Sequence, residues 1–410
     1  FAALIAMQFL IGPDMGYVLS KGIAISLATT LVFMPCATMF CYKLIDRTSH
    51  RSFMPSFHRL ARGAVRIKGF VTVLVMLLLV PCYLAQRNIH FVYGASEMTG
   101  PESRIVRERD AINDQFGESN SFAILVPVGS TAKEQALNDE LKALPQVSSV
   151  LSYVETVGKS IPEGYVPPEQ LKLLTAKGYT RLVVSARVPS ESQETFQFVE
   201  TMRDLAQKHY GSQYYMVGVP ATIYDMKDTI TADSVKVNAI SIGAIGLILL
   251  LNFQSVSLPV LLLLTIESSI FINIAVPYFT GAHLQYIGYL IISSVQLGAT
   301  VDYAILFTNR YLELRGKMLR QEAVTETIRS TAGSILTSGG ILATAGIVLR
   351  FGSSNLIIGQ LGVLVARGAI LSMVLVLVLL PTLLTRLEWL IKCTSRKISF
   401  YTAPKEEIAV

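Results

Sequence analysis

Charge is what this chain has least of. Only 16% of its 410 residues are Asp, Glu, Lys or Arg, against 51% hydrophobic residues, and mean hydropathy is +0.49. Soluble domains carry about a quarter charged residues, so a soluble enzyme is excluded. Cysteine is scarce too. Cys36, Cys41, Cys82 and Cys393 lie in or beside apolar runs or in a basic tail, and none falls between Ile89 and Ala232. That polar stretch therefore has no disulfide framework, and the four thiols read as small hydrophobes. The five histidines, His50, His58, His90, His209 and His283, show no metal-ligand spacing. A Walker A string is missing as well. No enzyme activity, metal or cofactor is expected.

What the chain has is apolar runs near the 20 residues needed to cross a hydrocarbon core about 30 Å thick. They fall at 16–42, 69–85, 236–252, 256–279, 285–307, 331–351 and 358–384, after a shorter run at 1–11. The few charges set their orientation. Residues 88–232 hold 13 Lys+Arg against 18 Asp+Glu, and the remainder holds 22 against 11. Seventeen of those 22 sit in three short stretches, 43–68, 310–330 and 386–410. The positive-inside rule makes these cytoplasmic, and alternating the spans places all three on one face. Topology accounts for the basic loops, so no nucleic-acid partner is expected.

The expected fold is an α-helical polytopic membrane protein with an inserted extracytoplasmic α/β domain. Residues 1–42 read as two helices, the first truncated, and 43–68 as a basic cytoplasmic loop. Residues 69–87 are one helix, 88–235 the inserted domain, 236–385 five more helices, and 386–410 a cytoplasmic tail. Within the insert, helical spacing at 101–117, 131–144 and 190–210 alternates with β-like runs at 122–128, 147–154, 180–188 and 214–219. Residues 160–170, with Pro162, Pro167 and Pro168, read as the loop between its halves.

The chain repeats itself at an offset of 346. Gly16, Lys21, Gly22, Ser26 and Pro35 fall on Gly362, Arg367, Gly368, Ser372 and Pro381, with a basic residue before the second glycine in both copies. Internal repeats mark secondary transporter folds. The chain starts with Phe1 and carries no signal peptide, which fits the C-terminal part of a longer protein.

Asp302 carries the most chemistry. It lies in the run QYIGYLIISSVQLGATVDYAILFTNRY at 285–311, and a charge at bilayer depth costs roughly 2.5–3.5 kcal/mol on insertion scales. It lies about seven residues from the cytoplasmic end, so roughly 10 Å deep. A desolvated acid there is a proton carrier; the alternative is a structural carboxylate. Tyr303 points about 100° away around the helix and could orient or gate the acid. Gly298, one turn back, could admit a neighbouring helix. Thr337 and Ser338, on a small and hydroxylated face of the next helix, are candidates to hydrogen-bond Asp302. Glu267 is a second intramembrane acid without a same-helix partner, and both structural and functional readings of it stand. Asn273 reads as interhelical glue. Lys21 and Arg367 are expected to snorkel to the outer interface.

Gly298-Ala-Thr-Val-Asp302-Tyr303, preceded by TIESSIFINIAVPYFTG and followed by TNRYLELRGKMLRQEAVTETIRSTAGSI, resembles the MMPL-type exporters of the resistance–nodulation–cell division superfamily. The resemblance covers essentially the whole chain. It implies twelve helices in two halves, each half with an extracytoplasmic α/β porter domain. This chain would hold the end of the first half and all of the second. It also implies that Asp302 and Tyr303 form one side of a proton relay, whose partner pair lies in the missing N-terminal half. The implied activity is proton-motive-force-driven export of lipids or other amphipathic molecules across the cytoplasmic membrane. Its implied partners are that substrate, protons, membrane lipids and the N-terminal half. A sterol-sensing or receptor-type relative, or a protein-translocation accessory subunit, would share the same fold.

Overall fold

The computed structural model describes residues 1–48, 57–87, 89, 91–94, 103–158, 165–395 and 400–401. Part of the expected basic loop (49–56), most of the expected tail beyond 395, and 160–164 of the proline-rich loop lie outside the described residues. In chain order, a 3-10 turn at Ala2–Ala6 precedes α1 (Ile11–Ala28), a π-helical turn at Thr29–Phe33, and α2 (Met34–Arg47). Then come α3 (His58–Arg87), β1 (Phe91–Val92), α4 (Arg104–Phe116), β2 (Asn120–Pro127), α5 (Thr131–Lys142), β3 (Val147–Leu151), α6 (Tyr153–Thr156) and α7 (Pro168–Leu174). Next are β4 (Thr175–Ala176), β5 (Tyr179–Ala186), α8 (Gln193–Tyr210), β6 (Tyr215–Gly218), α9 (Val219–Phe253), α10 (Ser257–Thr280) and β7 (Leu284–Gln285). The chain ends in α11 (Tyr286–Arg315), α12 (Arg320–Gly352), α13 (Leu356–Arg386) and α14 (Glu388–Thr394).

Among the described residues, seven helices are long and apolar enough to cross a membrane: the α1–α2 run Ile11–Arg47, Ala61–Gln86 within α3, and α9 to α13. The chain is a multi-pass membrane protein. Residues 1–10, expected as the end of a truncated helix, form one short 3-10 turn and a break before α1. Two helices outrun their apolar windows. α11 extends to Arg315, where Arg310 and Lys317 both pair with Glu313, and α12 starts eleven residues before 331. Surface ion pairs at helical spacing prolong both into water, so hydropathy alone set those ends too short.

The chain divides into two compact units, Phe1–Phe91 with Ala232–Val410, and Val92–Thr231. In the first, α13 is the central helix and packs on α3, α10, α11 and α12. Its closest neighbour is α12, because Gly346 and Gly362 face each other; a Cβ on either would lie 2.5 Å from the other's carbonyl oxygen. Small residues permit that approach where apolar burial supplies no drive between helices. Leu258, Leu262, Phe307, Tyr311, Leu379, Leu380 and Leu384 fill the core.

The second unit is a two-layer α/β fold. Its strands run antiparallel in the order β3-β5-β2-β6, with Phe122 opposite Val184 and Ile124 opposite Leu182. Alternate side chains of β2 and β5 point inward and pack on Leu137 and Leu141 of α5 and on Phe198, Val199 and Met202 of α8. The hairpin from β4 to β5 turns on Lys177 (φ 50°) and Gly178 (φ 80°), the left-handed pair that a two-residue turn requires. Ser130 and Ser192 cap α5 and α8 by accepting the amides of Lys133 and Thr195.

Candidate functional site in the membrane helices

α11 carries Asp302 and Tyr303 on different faces. The Tyr303 ring is buried in the helix core, whereas Asp302 is exposed on the side of the unit. The Asp302 carboxylate has no hydrogen-bond or ion-pair partner among the described residues. At Gly298, one turn back, the nearest atom to a built Cβ is a ring carbon of Phe1 at 3.9 Å, an ordinary contact. Thr337 and Ser338 on α12 are exposed. With Phe57, Arg329, Gly333 and Ile341 they line an open groove of about 560 Å³. The expected hydrogen bond from these hydroxyls to Asp302 is not made. Thr337 Oγ1 instead donates to the Gly333 carbonyl at 2.8 Å, the backbone acceptor one turn below it. Glu267 is half-buried on α10, and no hydrogen bond joins it to Asp302.

The structure also assembles a polar cluster that sequence reasoning saw only in pieces. Asn273, Ser269, Gln296 and Ser372 are all buried among α10, α11 and α13. Asn273 Nδ2 donates to Gln296 Oε1 and to the Leu364 carbonyl, both at 2.9 Å. Gln296 Nε2 donates to Ser269 Oγ at 2.8 Å, and Ser269 and Ser372 share a 2.8 Å bond. Asn273 is thus the interhelical link that its position suggested.

Arg367 does not snorkel outward as expected. Its Nε donates to Asn273 Oδ1 at 2.7 Å and its Nη2 to the Asn273 carbonyl at 2.8 Å. Helix chemistry explains the second bond. The amide four residues after Asn273 should serve that carbonyl, but residue 277 is proline and has no N–H. The guanidinium supplies the missing donor. Gly368 makes the arrangement possible, since a Cβ there would lie 2.5 Å from Gln296 Oε1 and 2.7 Å from Asn273 Nδ2. The repeat had singled out Arg367, Gly368 and Ser372, and Pro277 lies four residues after Asn273; together these were the available signal.

Two further acids pin the ends of the helices. Asp233 is buried, and its Oδ2 accepts the amides of Gln8 at 2.7 Å and Phe9 at 3.0 Å. Glu388, on α14, accepts from Arg315 Nε and Arg320 Nε, each at 2.9 Å, and from the Tyr311 hydroxyl. Burial pushes the Glu388 carboxyl up, but the bonds from Arg315, Tyr311 and Arg320 outweigh it and hold the group below the usual carboxylate range.

Comparison with known proteins matches the MMPL family over residues 97–398. The chain is 26% identical over 266 residues to "Putative membrane protein ActII-3" of Streptomyces coelicolor, covering 63% of this chain and 35% of that protein. It is 31% identical over 180 residues to "Probable transport protein MmpL4" of Mycobacterium leprae, covering 43% of this chain and 19% of that protein. The chain therefore spans about a third or less of these relatives' lengths. A crystal structure of SecDF in its super-membrane-facing form superposes with a TM-score of 0.48 at 15% identity, covering 96% of this chain and 47% of that one. With the family match running through the polar α/β unit and all of α9 to α13, this chain belongs to the MMPL family.

Proposed function

We propose that this chain works, as part of a longer protein, in proton-motive-force-driven export of lipids or other amphipathic molecules across the cytoplasmic membrane. The observation that carries the reading is Asp302: a carboxylate within an apolar helix, unpartnered among the described residues and beside the buried Tyr303. An intramembrane acid free of a fixed counter-charge can take up and release a proton as its surroundings wet and dry. One proton crossing 100 mV delivers about 2.3 kcal/mol. The charge distribution supports placing residues 88–235 outside the cytoplasm and the C-terminus inside. The resemblance implies a partner acid in a preceding half of the longer protein. Gly298 lies one turn before Asp302, Thr337 and Ser338 stay candidates for relay support, and Glu267 stays a possible second intramembrane acid.

The test is Asp302→Asn in the full-length protein. The variant is expected at wild-type levels in the membrane with export abolished, and normal export would overturn the relay. Proton flux in liposomes separates a pump from a sensor or receptor of the same fold, because only the pump moves protons with its substrate.

A further inference from the structure

The Arg367 guanidinium lies about 16 Å along α13 from its start, and no carboxylate pairs with it among the described residues. Its contacts with Asn273 use Nε and one hydrogen of Nη2. They leave Nη1 and the second Nη2 hydrogen without a described partner. Neither contact neutralises the charge, and an uncompensated cation at such depth is costly in hydrocarbon. The seat is nevertheless rigid. Nε is fixed by an amide that is itself held by Gln296 and the Leu364 carbonyl, and Nη2 is fixed by a carbonyl that Pro277 leaves free.

The surface around it is apolar. Val363, Ile370 and Val374 stand at four residues before, three after and seven after Arg367, so they share its face of α13. They are 38%, 46% and 49% exposed. One held cation sits midway along an apolar stripe.

We propose that Arg367 and its α13 face form a binding site for an amphiphile with an anionic oxygen headgroup, a carboxylate or a phosphate. The headgroup takes the free Nη1 and Nη2 hydrogens, a planar fork suited to two oxygens. The acyl chain lies along Val363, Ile370 and Val374. Charge complementarity argues for this occupant, because a neutral helix or a neutral lipid laid on the same stripe would leave the guanidinium uncompensated. The proposal rests on the export reading only for what becomes of the ligand; binding itself is measured without transport.

The experiment uses the full-length protein in a non-ionic detergent, with a fluorescent long-chain fatty acid at pH 8 and the matching fatty alcohol as probes. Wild type is expected to bind the acid about tenfold tighter than the alcohol. Arg367→Gln should lose that preference while alcohol affinity stays unchanged, and Arg367→Lys, which keeps the charge but not the planar fork, should keep only part of it. Asp302→Asn should bind both probes like wild type even where export is abolished, so failure of the relay and failure of this site give different results. Displacement of the acid by phosphatidylglycerol would assign the site to a bilayer phosphate, and resistance to it would assign a free carboxylate; both uphold the site. Equal affinity of wild type for acid and alcohol overturns it, as does an acid preference that survives Arg367→Gln. The wild-type comparison and the lysine variant keep the test decisive if Arg367→Gln does not fold.

Discussion

At position 368 even a methyl group is too large. The Cβ of an alanine would lie 2.5 Å from Gln296 Oε1 and 2.7 Å from Asn273 Nδ2, so Gly368→Ala must force the buried amide pair apart. Overpacking of that kind costs about 1–3 kcal/mol. The purified full-length protein is expected to melt at a clearly lower temperature in a thermal unfolding scan. Gly340→Ala on α12 is the control: nothing lies within 4 Å of its Cβ, and alanine is the better helix former, so its midpoint should hold or rise slightly. Equal melting of both variants would show that the amide cluster does not constrain the helices. The sequence exposed half of this cluster. Arg367, Gly368 and Ser372 stood out through the repeat with Lys21, Gly22 and Ser26. Gln296 and Ser269 did not, since their meeting depends on how three helices pack rather than on spacing along any one of them.

α14 is only seven residues long, too short to persist on its own propensity, so its tertiary ties decide whether it forms. The main tie is Glu388, 5% exposed, against Arg315, 7% exposed, with Arg320 and Tyr311 on the same carboxylate. Arg315→Ala removes the buried partner and is expected to cost about 3 kcal/mol. The pH dependence has a definite sign. Folding depresses the Glu388 carboxyl below its ordinary value near 4.3, so the folded state binds a proton less readily than the unfolded one. Its contribution is complete above the unfolded value and is lost as pH falls through about 4 toward the folded value. Glu388→Gln should therefore flatten the fall in melting temperature between about pH 5 and pH 3 relative to wild type. An unchanged slope would show that the cluster does not stabilise the fold. Helices of this class were legible where hydropathy was long and strong, as in α10 and α13. The polar ends of α11 and α12 were not, because ion pairs such as Arg310–Glu313 and Lys317–Glu313 carry a helix beyond its apolar window.

The division of the chain into two units follows from where burial is available. Residues 88–232 carry the net acidic, cysteine-free segment, and their period-two strands find their partners inside the unit, on α5 and α8. The hairpin of Lys177 and Gly178 and the serine caps of both helices are local devices, which is why the strand positions could be read from pattern alone. Strand order could not, because β3 and β6 reach opposite sides of the β5–β2 pair through long connections. A unit with its own core and its own turn chemistry should fold without the membrane helices. Residues 92–231 expressed alone are therefore expected to be soluble, with a single cooperative urea transition by circular dichroism. Phe122 is fully buried, packs edge-on against Phe198 at 5.6 Å, and sits in the central β2–β5 pairing. Phe122→Ala should cost about 3–5 kcal/mol and shift the urea midpoint without changing the slope, since the surface exposed on unfolding is nearly the same. A broad, non-cooperative transition in the wild-type unit would mean that its core is completed by the membrane helices, and the two units would then have to be treated as one folding domain.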